Sequence, residues 1–235
     1  MDVPAPEDDP LDPLPDPAQR AAVAALADAY CEAVLAGDQP EAERVIREAI
    51  EAGLPETLIG GDIIAPAMRE VGALWEAGRI SVADEHLATE LSTRILTLQR
   101  EHFRIVHRRA TRRILLAAPE GERHVLGLDM VASVLLHAGY DVRMLGADLP
   151  LDALQSALNR HEPAVVGLSV ATSATAMAVP AAVDLIRDRL PSAGIIVGGR
   201  ACGDLIPVRP GIETCTHVAD ALEAVDALVQ RAELN

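Results

Sequence analysis

The stretch RILLAAPEGERHVLG, residues 113–127, decides the fold. Ile114–Ala118 is a short apolar run of strand length. Pro119 and Gly121 then break it, and a helical pattern takes over at about 124–138. The alternation repeats downstream. Strands are expected at 141–146, 164–169, 194–198 and, more weakly, 213–218. Helices are expected at 151–160, 175–189 and 219–232. Strict β–α alternation with apolar strands means a parallel sheet covered on both faces. In such a flavodoxin-like or Rossmann-like layout, ligands sit beyond the C-terminal ends of the strands.

Upstream, residues 19–108 read as helices. The first spans about 19–36 and stops at Gly37; the second spans about 40–52 and stops at Gly53. A third begins at Pro55, passes a weak Gly60-Gly61 interruption and ends near Gly78. Ser81, with Asp84 three residues on, reads as the capping box of a fourth that runs to about His107. Short loops make neighbours antiparallel, so this half is expected to be a four-helix bundle. The expected division is an acidic, proline-rich disordered tail over 1–18, a bundle over 19–110 and an α/β domain over 111–235.

Composition narrows the chemistry. The 235 residues carry 36 acidic and 20 basic side chains, a net charge of −16, and all the basic ones are arginine. Without lysine there is no Schiff base to pyridoxal phosphate or retinal and no Walker lysine. Removing the tail leaves a body near −10, a poor match for a nucleic-acid phosphate backbone. Only Tyr30, Trp75, Phe103 and Tyr140 are aromatic, so a large planar ligand must be held mainly by aliphatic groups and backbone. No apolar run approaches the ~20 residues of a membrane span. The cysteines, Cys31, Cys202 and Cys215, are odd in number and widely spaced, which suits reduced thiols in the cytoplasm.

Three features converge on one sheet rim. Glu122-x-His124-x-x-Gly127 follows the first strand, Ser169 closes the third with Thr172 and Ser173 behind it, and Gly198-Gly199 closes the fourth. His124 offers a metal-ligating nitrogen, and Glu122 can bond the other ring nitrogen to set tautomer and basicity. Small residues at Ser169 and Gly198-Gly199 would admit a bulky group beside the sheet. At the junction, Arg100, Arg104, Arg108, Arg109, Arg112 and Arg113 read first as a solvated helix end and second as a site for anionic groups.

The rim pattern resembles the cobalamin-binding signature of the methionine-synthase type, with Glu122 in place of Asp and Ala171 in place of Leu. The resemblance implies base-off, His-on cobalamin. His124 would be the lower axial cobalt ligand, and the dimethylbenzimidazole tail would descend near Ser169 and Gly198-Gly199. In the helical half, Trp75 is followed, after nine intervening residues, by Glu85-His86. Trp-x9-Glu-His is similar to the motif of CarH-like cobalamin photoreceptors. Adenosylcobalamin is the form this implies, with methylcobalamin and hydroxocobalamin as alternatives. Trp75 would pack on the adenosyl group, Glu85 would hydrogen-bond it, and His86 would take the upper cobalt position after photolysis. The acidic tail stands where CarH-like repressors carry a MerR-type DNA-binding domain. A non-enzymatic sensor acting through an effector protein or self-association is therefore expected, with no direct DNA contact and no membrane. Biliverdin is a further expected chromophore, its propionates met by the junction arginines. The alternatives are a corrinoid methyl carrier of a methyltransferase system, which has no need of Trp75 and Glu85-His86, and a subunit of an adenosylcobalamin mutase.

Overall fold

A computed structural model describes residues 17–102, 112–205 and 211–233. The expected tail lies outside these residues apart from its last two, which already belong to helix α1, Pro17–Leu35. Helix α2, Gln39–Glu51, starts on an Asp38 cap that accepts from the Glu41 amide, with Pro40 in its first turn. The third expected helix is composite: α3, Glu56–Leu58, a π-helical turn, Ile59–Ile64, and α4, Ala65–Glu76. The Gly60-Gly61 interruption is thus a change of helix type rather than a break. A Cβ on Gly60 would lie 3.6 Å from Met130, and one on Gly61 3.9 Å from Val218, both ordinary van der Waals distances. Helix α5, Val82–His102, opens with the Ser81–Asp84 capping box; the Asp84 amide and the Ser81 amide each bond the other's side chain. Its expected end near His107 lies outside the described residues.

The second half is a five-stranded parallel sheet in the order β2-β1-β3-β4-β5. The strands are β1 Arg113–Ala117, β2 Asp141–Met144, β3 Val165–Ser169, β4 Gly194–Gly198 and β5 Ile212–Cys215. Helices α6, Leu126–His137, and α11, Val218–Glu233, cover one face. Helices α7, Leu151–His161, and α9, Val179–Arg189, cover the other. The expected helix over 175–189 is split into α8, Ser173–Ala176, and α9, with Pro180 in the first turn of α9. A short α10, Cys202–Leu205, was not anticipated.

Two cores pack the sheet faces, and a third fills the bundle. The bundle core is continuous with the α/β half: Met130 and Val134 of α6 and Val218 of α11 belong to it. The bundle therefore sits on the α6/α11 face. Arg100 and Arg113 correct the picture of a solvated arginine cluster. Arg100 bonds the Asp129 carboxylate at 2.8 Å, and Arg113 bonds Asp141 at 3.0 Å. Arg104, Arg108 and Arg109 lie outside the described residues.

Candidate functional site

Strands β1, β3 and β4 are adjacent, and Ser169 is in register with Gly198, so the three rim motifs share one edge. The loop after β1 carries Glu122 into the interior. Its carboxylate is fully buried. Oε1 accepts from the His124 amide at 2.8 Å and lies 2.6 Å from His124 Nδ1. Oε2 accepts from the Ala171 amide at 2.7 Å and from Thr175 Oγ1 at 2.5 Å. Burial pushes this carboxyl up, but the Ala171, Thr175 and His124 donors outweigh it and hold the group below the usual carboxylate range. Asp148 staples the loop: its side chain accepts from the Gly121 amide, and its own amide donates to the Glu122 carbonyl.

His124 has the opposite exposure. Its side chain is 64 % exposed while Nδ1 is held on an ionised carboxylate, which leaves Nε2 to meet a ligand. Outside its own helix and chain neighbours, nothing lies within 4 Å of the position a Cβ would take on Gly127, so there is open space at the start of α6. Ser169 is buried at the end of β3. Thr172 caps α8 by accepting from the Thr175 amide, and Ser173 is exposed in the first turn. The signature position held by Ala171 acts here through its amide, for which side-chain identity matters little.

The sequence reading missed Thr175. The signal was present: Thr172-x-x-Thr175 has capping-box spacing, and the same hydroxyl that completes the box reaches Glu122. The glycine pair has a backbone reason besides the one expected. A Cβ on Gly199, at φ +99°, would meet the Val170 carbonyl at 2.2 Å, and one on Gly198 would meet the Cys215 carbonyl at 3.2 Å. The protein's own backbone demands a glycine at 199 and crowds a side chain at 198.

At the bundle end, Trp75 closes α4 and is 45 % exposed. Glu85 accepts from Thr89 Oγ1 at 2.9 Å and lies 2.6 Å from His86 Nδ1. The His86 side chain is 73 % exposed. Glu76, next to Trp75, forms a 3.2 Å ion pair with Arg200, next to Gly199. This contact brings the Trp75 end of the bundle to the sheet rim. Two exposed imidazoles, His124 at the rim and His86 on α5 of the bundle, are each oriented by a carboxylate.

Among the described residues, no group of three or more His, Cys, Asp or Glu side chains could hold a bare metal ion. A metal bound by one imidazole must bring its other ligands with it. A cobalt corrin fits that donor set, the outward Nε2 of His124 and the room at Gly127.

B12 binding domain models match the chain twice, over residues 26–98 in the helical half and 112–205 in the α/β half. The chain is 33% identical over 171 residues to the HTH-type transcriptional repressor CarH of Myxococcus xanthus, covering 72% of this chain and 56% of that protein. Against CarA of the same organism it is 37% identical over 135 residues, 57% of this chain and 43% of CarA. The chain thus spans about half the length of these two relatives. It is also 30% identical over 148 residues to the trimethylamine corrinoid protein of Methanosarcina barkeri, 61% of this chain and 67% of that one. The fold matches the Methanosarcina barkeri monomethylamine corrinoid protein with a TM-score of 0.73, at 18% identity, over 87% of this chain and 98% of the other. With both halves matched and the His124 site in place, the chain belongs to the B12-binding domain family, as a helical B12-binding domain followed by an α/β one.

Proposed function

We propose that this chain is a cytoplasmic cobalamin-dependent light sensor rather than an enzyme, with adenosylcobalamin as its chromophore. The observation that carries the reading is the pair of carboxylate-oriented histidines, His124 at the sheet rim and His86 on the bundle end, with Trp75 nearby. The cofactor, when bound, supplies light-driven cleavage of a cobalt–carbon bond. The protein's part is to hold, cover and respond. His124, fixed by Glu122, would hold the cobalt of the bound cofactor through Nε2. Trp75 would cover the bound cofactor from the bundle side, and Glu85 would offer it a carboxylate. His86 is the candidate replacement ligand. Similarity to CarH and CarA supports this reading, and output runs through an effector protein or a change of self-association. Biliverdin gains no support from Arg100 and Arg113, which already hold carboxylates of the chain itself.

A corrinoid methyl carrier is the second reading, favoured by similarity to the trimethylamine corrinoid protein. Light separates the two. The chain is loaded with adenosylcobalamin in the dark, and its absorption spectrum and molecular size are recorded before and after green light. The sensor predicts a stable photoproduct, distinct from that of the unbound cofactor, which His86→Ala alters. A photoproduct identical to that of the unbound cofactor, with no change in size, would sink the sensor and leave the carrier. A new red-absorbing band on adding biliverdin would establish the second chromophore.

A further inference from the structure

The face of the sheet opposite the bundle carries a feature that the cobalt site does not use. Under α7 and α9, at the C-terminal edge of β1 and β3, the chain encloses a cavity of about 190 Å³. Ala117 and Leu168 line it from the sheet, Leu154 from α7 and Ala182 from α9, and all four belong to the core on this side. Apart from Glu120, every lining side chain is hydrocarbon. Protein interiors leave few voids larger than a water molecule, and here small residues at the start of α9 (Ala178, Ala181 and Ala182) keep the space open. An apolar cavity of roughly 150 Å³ accepts a benzene ring, so this one has room for a leucine, methionine or phenylalanine side chain.

The outer surface continues the apolar character. Leu151 and Ala181 line the cavity and are themselves exposed. Met177, next to the lining residue Ala178, is 79% exposed, the most of any large hydrophobic side chain among the described residues. Methionine is over-used on surfaces that accept protein partners, because its flexible thioether adapts to what it meets. The charge around this surface has one sign. Every charged residue within two positions of a lining residue is an acid: Glu120, Glu122, Asp148, Asp152 and Asp184. Glu122 is buried on His124, and the other four are exposed.

We infer that this cavity is the anchor pocket of a docking surface for a partner protein segment, one in which a single leucine-, methionine- or phenylalanine-sized side chain is flanked by basic residues. The central side chain fills the cavity, as interface anchors fill well-packed pockets, and Met177 and Leu151 pack around it. The exposed acids meet the flanking cations, which favours encounter and rejects acidic competitors. A free hydrocarbon would fill the cavity but leave Met177 and Leu151 in water and the acids unused. A second copy of this chain, at net −16, would bring more negative charge to an acidic surface. The surface adjoins the segments that hold Glu122. Pro119 and Glu120 lead into the loop of Glu122 and His124, and Met177 follows α8, whose Thr175 bonds Glu122. As the output face for an effector protein the site rests on the sensor reading; as a binding surface it stands without it.

Nitrogen-15 NMR of the full chain tests this with short peptides that carry arginines on either side of a central phenylalanine, leucine or serine. The docking surface predicts saturable shifts of the Ala117, Leu168, Ala178 and Ala182 amides, with affinity about tenfold or more weaker for the serine peptide. Met177→Ser combined with Glu120→Gln should weaken binding roughly three- to tenfold, and both side chains are exposed, so the fold tolerates their loss. Leu98→Ser, at an exposed apolar position of the bundle, should leave binding unchanged. Equal binding of the serine peptide, shifts centred on other residues, or no saturation by about 5 mM peptide overturns the site. Benzene that saturates the same amides where no peptide does overturns the partner, as does self-association of the chain that Met177→Ser abolishes. The titration is repeated with adenosylcobalamin bound, in the dark and after green light. An affinity that differs between the two supports the output role. Equal affinity leaves the docking surface standing and removes its use by a light sensor.

Discussion

Two histidines in this chain set Nδ1 against a carboxylate, and they are held in opposite ways. His124 leans on a Glu122 that is fully buried and bonded from β1's loop, from the Ala171 amide and from Thr175. His86 leans on its own neighbour, Glu85, which is steadied only by Thr89 one turn on. The first pair is tied into three segments of the sheet domain. The second rides on one helix of a bundle that meets the rim through an exposed ion pair. A ligand needed in every state is best fixed by a surrounding shell, and one needed in a single state is best carried on the part that moves.

The sharpest way to break this contrast is at the rim glycines. Gly199→Ala places a Cβ 2.2 Å from the Val170 carbonyl at φ +99°, and should cost about 3 kcal/mol or more in urea unfolding. Gly127→Ala should do the reverse. It lies in the first turn of α6 with open space around it, so alanine should add roughly 0.5–1 kcal/mol of stability while weakening cobalamin binding by steric occupation. Equal stability losses at both positions would refute the distinction between a backbone-imposed glycine and a cofactor-facing one.

Glu122→Ala comes next. Cobalamin affinity should fall about 10–100-fold, and the cofactor-free protein should lose ~1–3 kcal/mol because the Ala171 amide and Thr175 hydroxyl lose their acceptor. The same group sets a pH dependence. Its folded-state pKa lies below the ordinary 4.5, so its contribution is present above that value and is lost as pH falls through the folded one. The stability gap between the wild type and Glu122→Gln, followed by urea titration, should be constant above about pH 5 and shrink under more acid conditions. Thr175→Val removes one donor and half a capping box, for roughly 1 kcal/mol and a few-fold loss of affinity. His86→Ala should leave urea stability within about 0.5 kcal/mol, because its side chain is 73 % exposed, and change only the illuminated state.

Much of the lower site could be read along the chain because the chemistry is local there. Glu122, His124 and Gly127 follow a strand at fixed spacing, and parallel strands deliver Ser169 and Gly198 to the same edge. The capping spacing of Thr172-x-x-Thr175 was legible, but the bond from Thr175 to Glu122 depends on α8 turning back toward that carboxylate, which spacing does not show. The Glu56–His137 contact was out of reach for the same reason at larger scale. Glu56 and His137 stand 81 residues apart and meet only when the bundle packs on α6. The Gly60-Gly61 pair looked like a weak break because helix propensity penalises glycine, whereas the chain runs on through it as a π-helical turn. The arginine cluster misled because charge alone does not reveal that Arg100 and Arg113 have acidic partners across the fold.

The measurement that tests the central contrast most directly is electron paramagnetic resonance of the chain loaded with cob(II)alamin in the dark, with its histidines labelled with nitrogen-15. The account predicts cobalt coupling to a single histidine nitrogen, lost in His124→Ala and unchanged in His86→Ala. Coupling that survives in His124→Ala, or vanishes in His86→Ala, would contradict it.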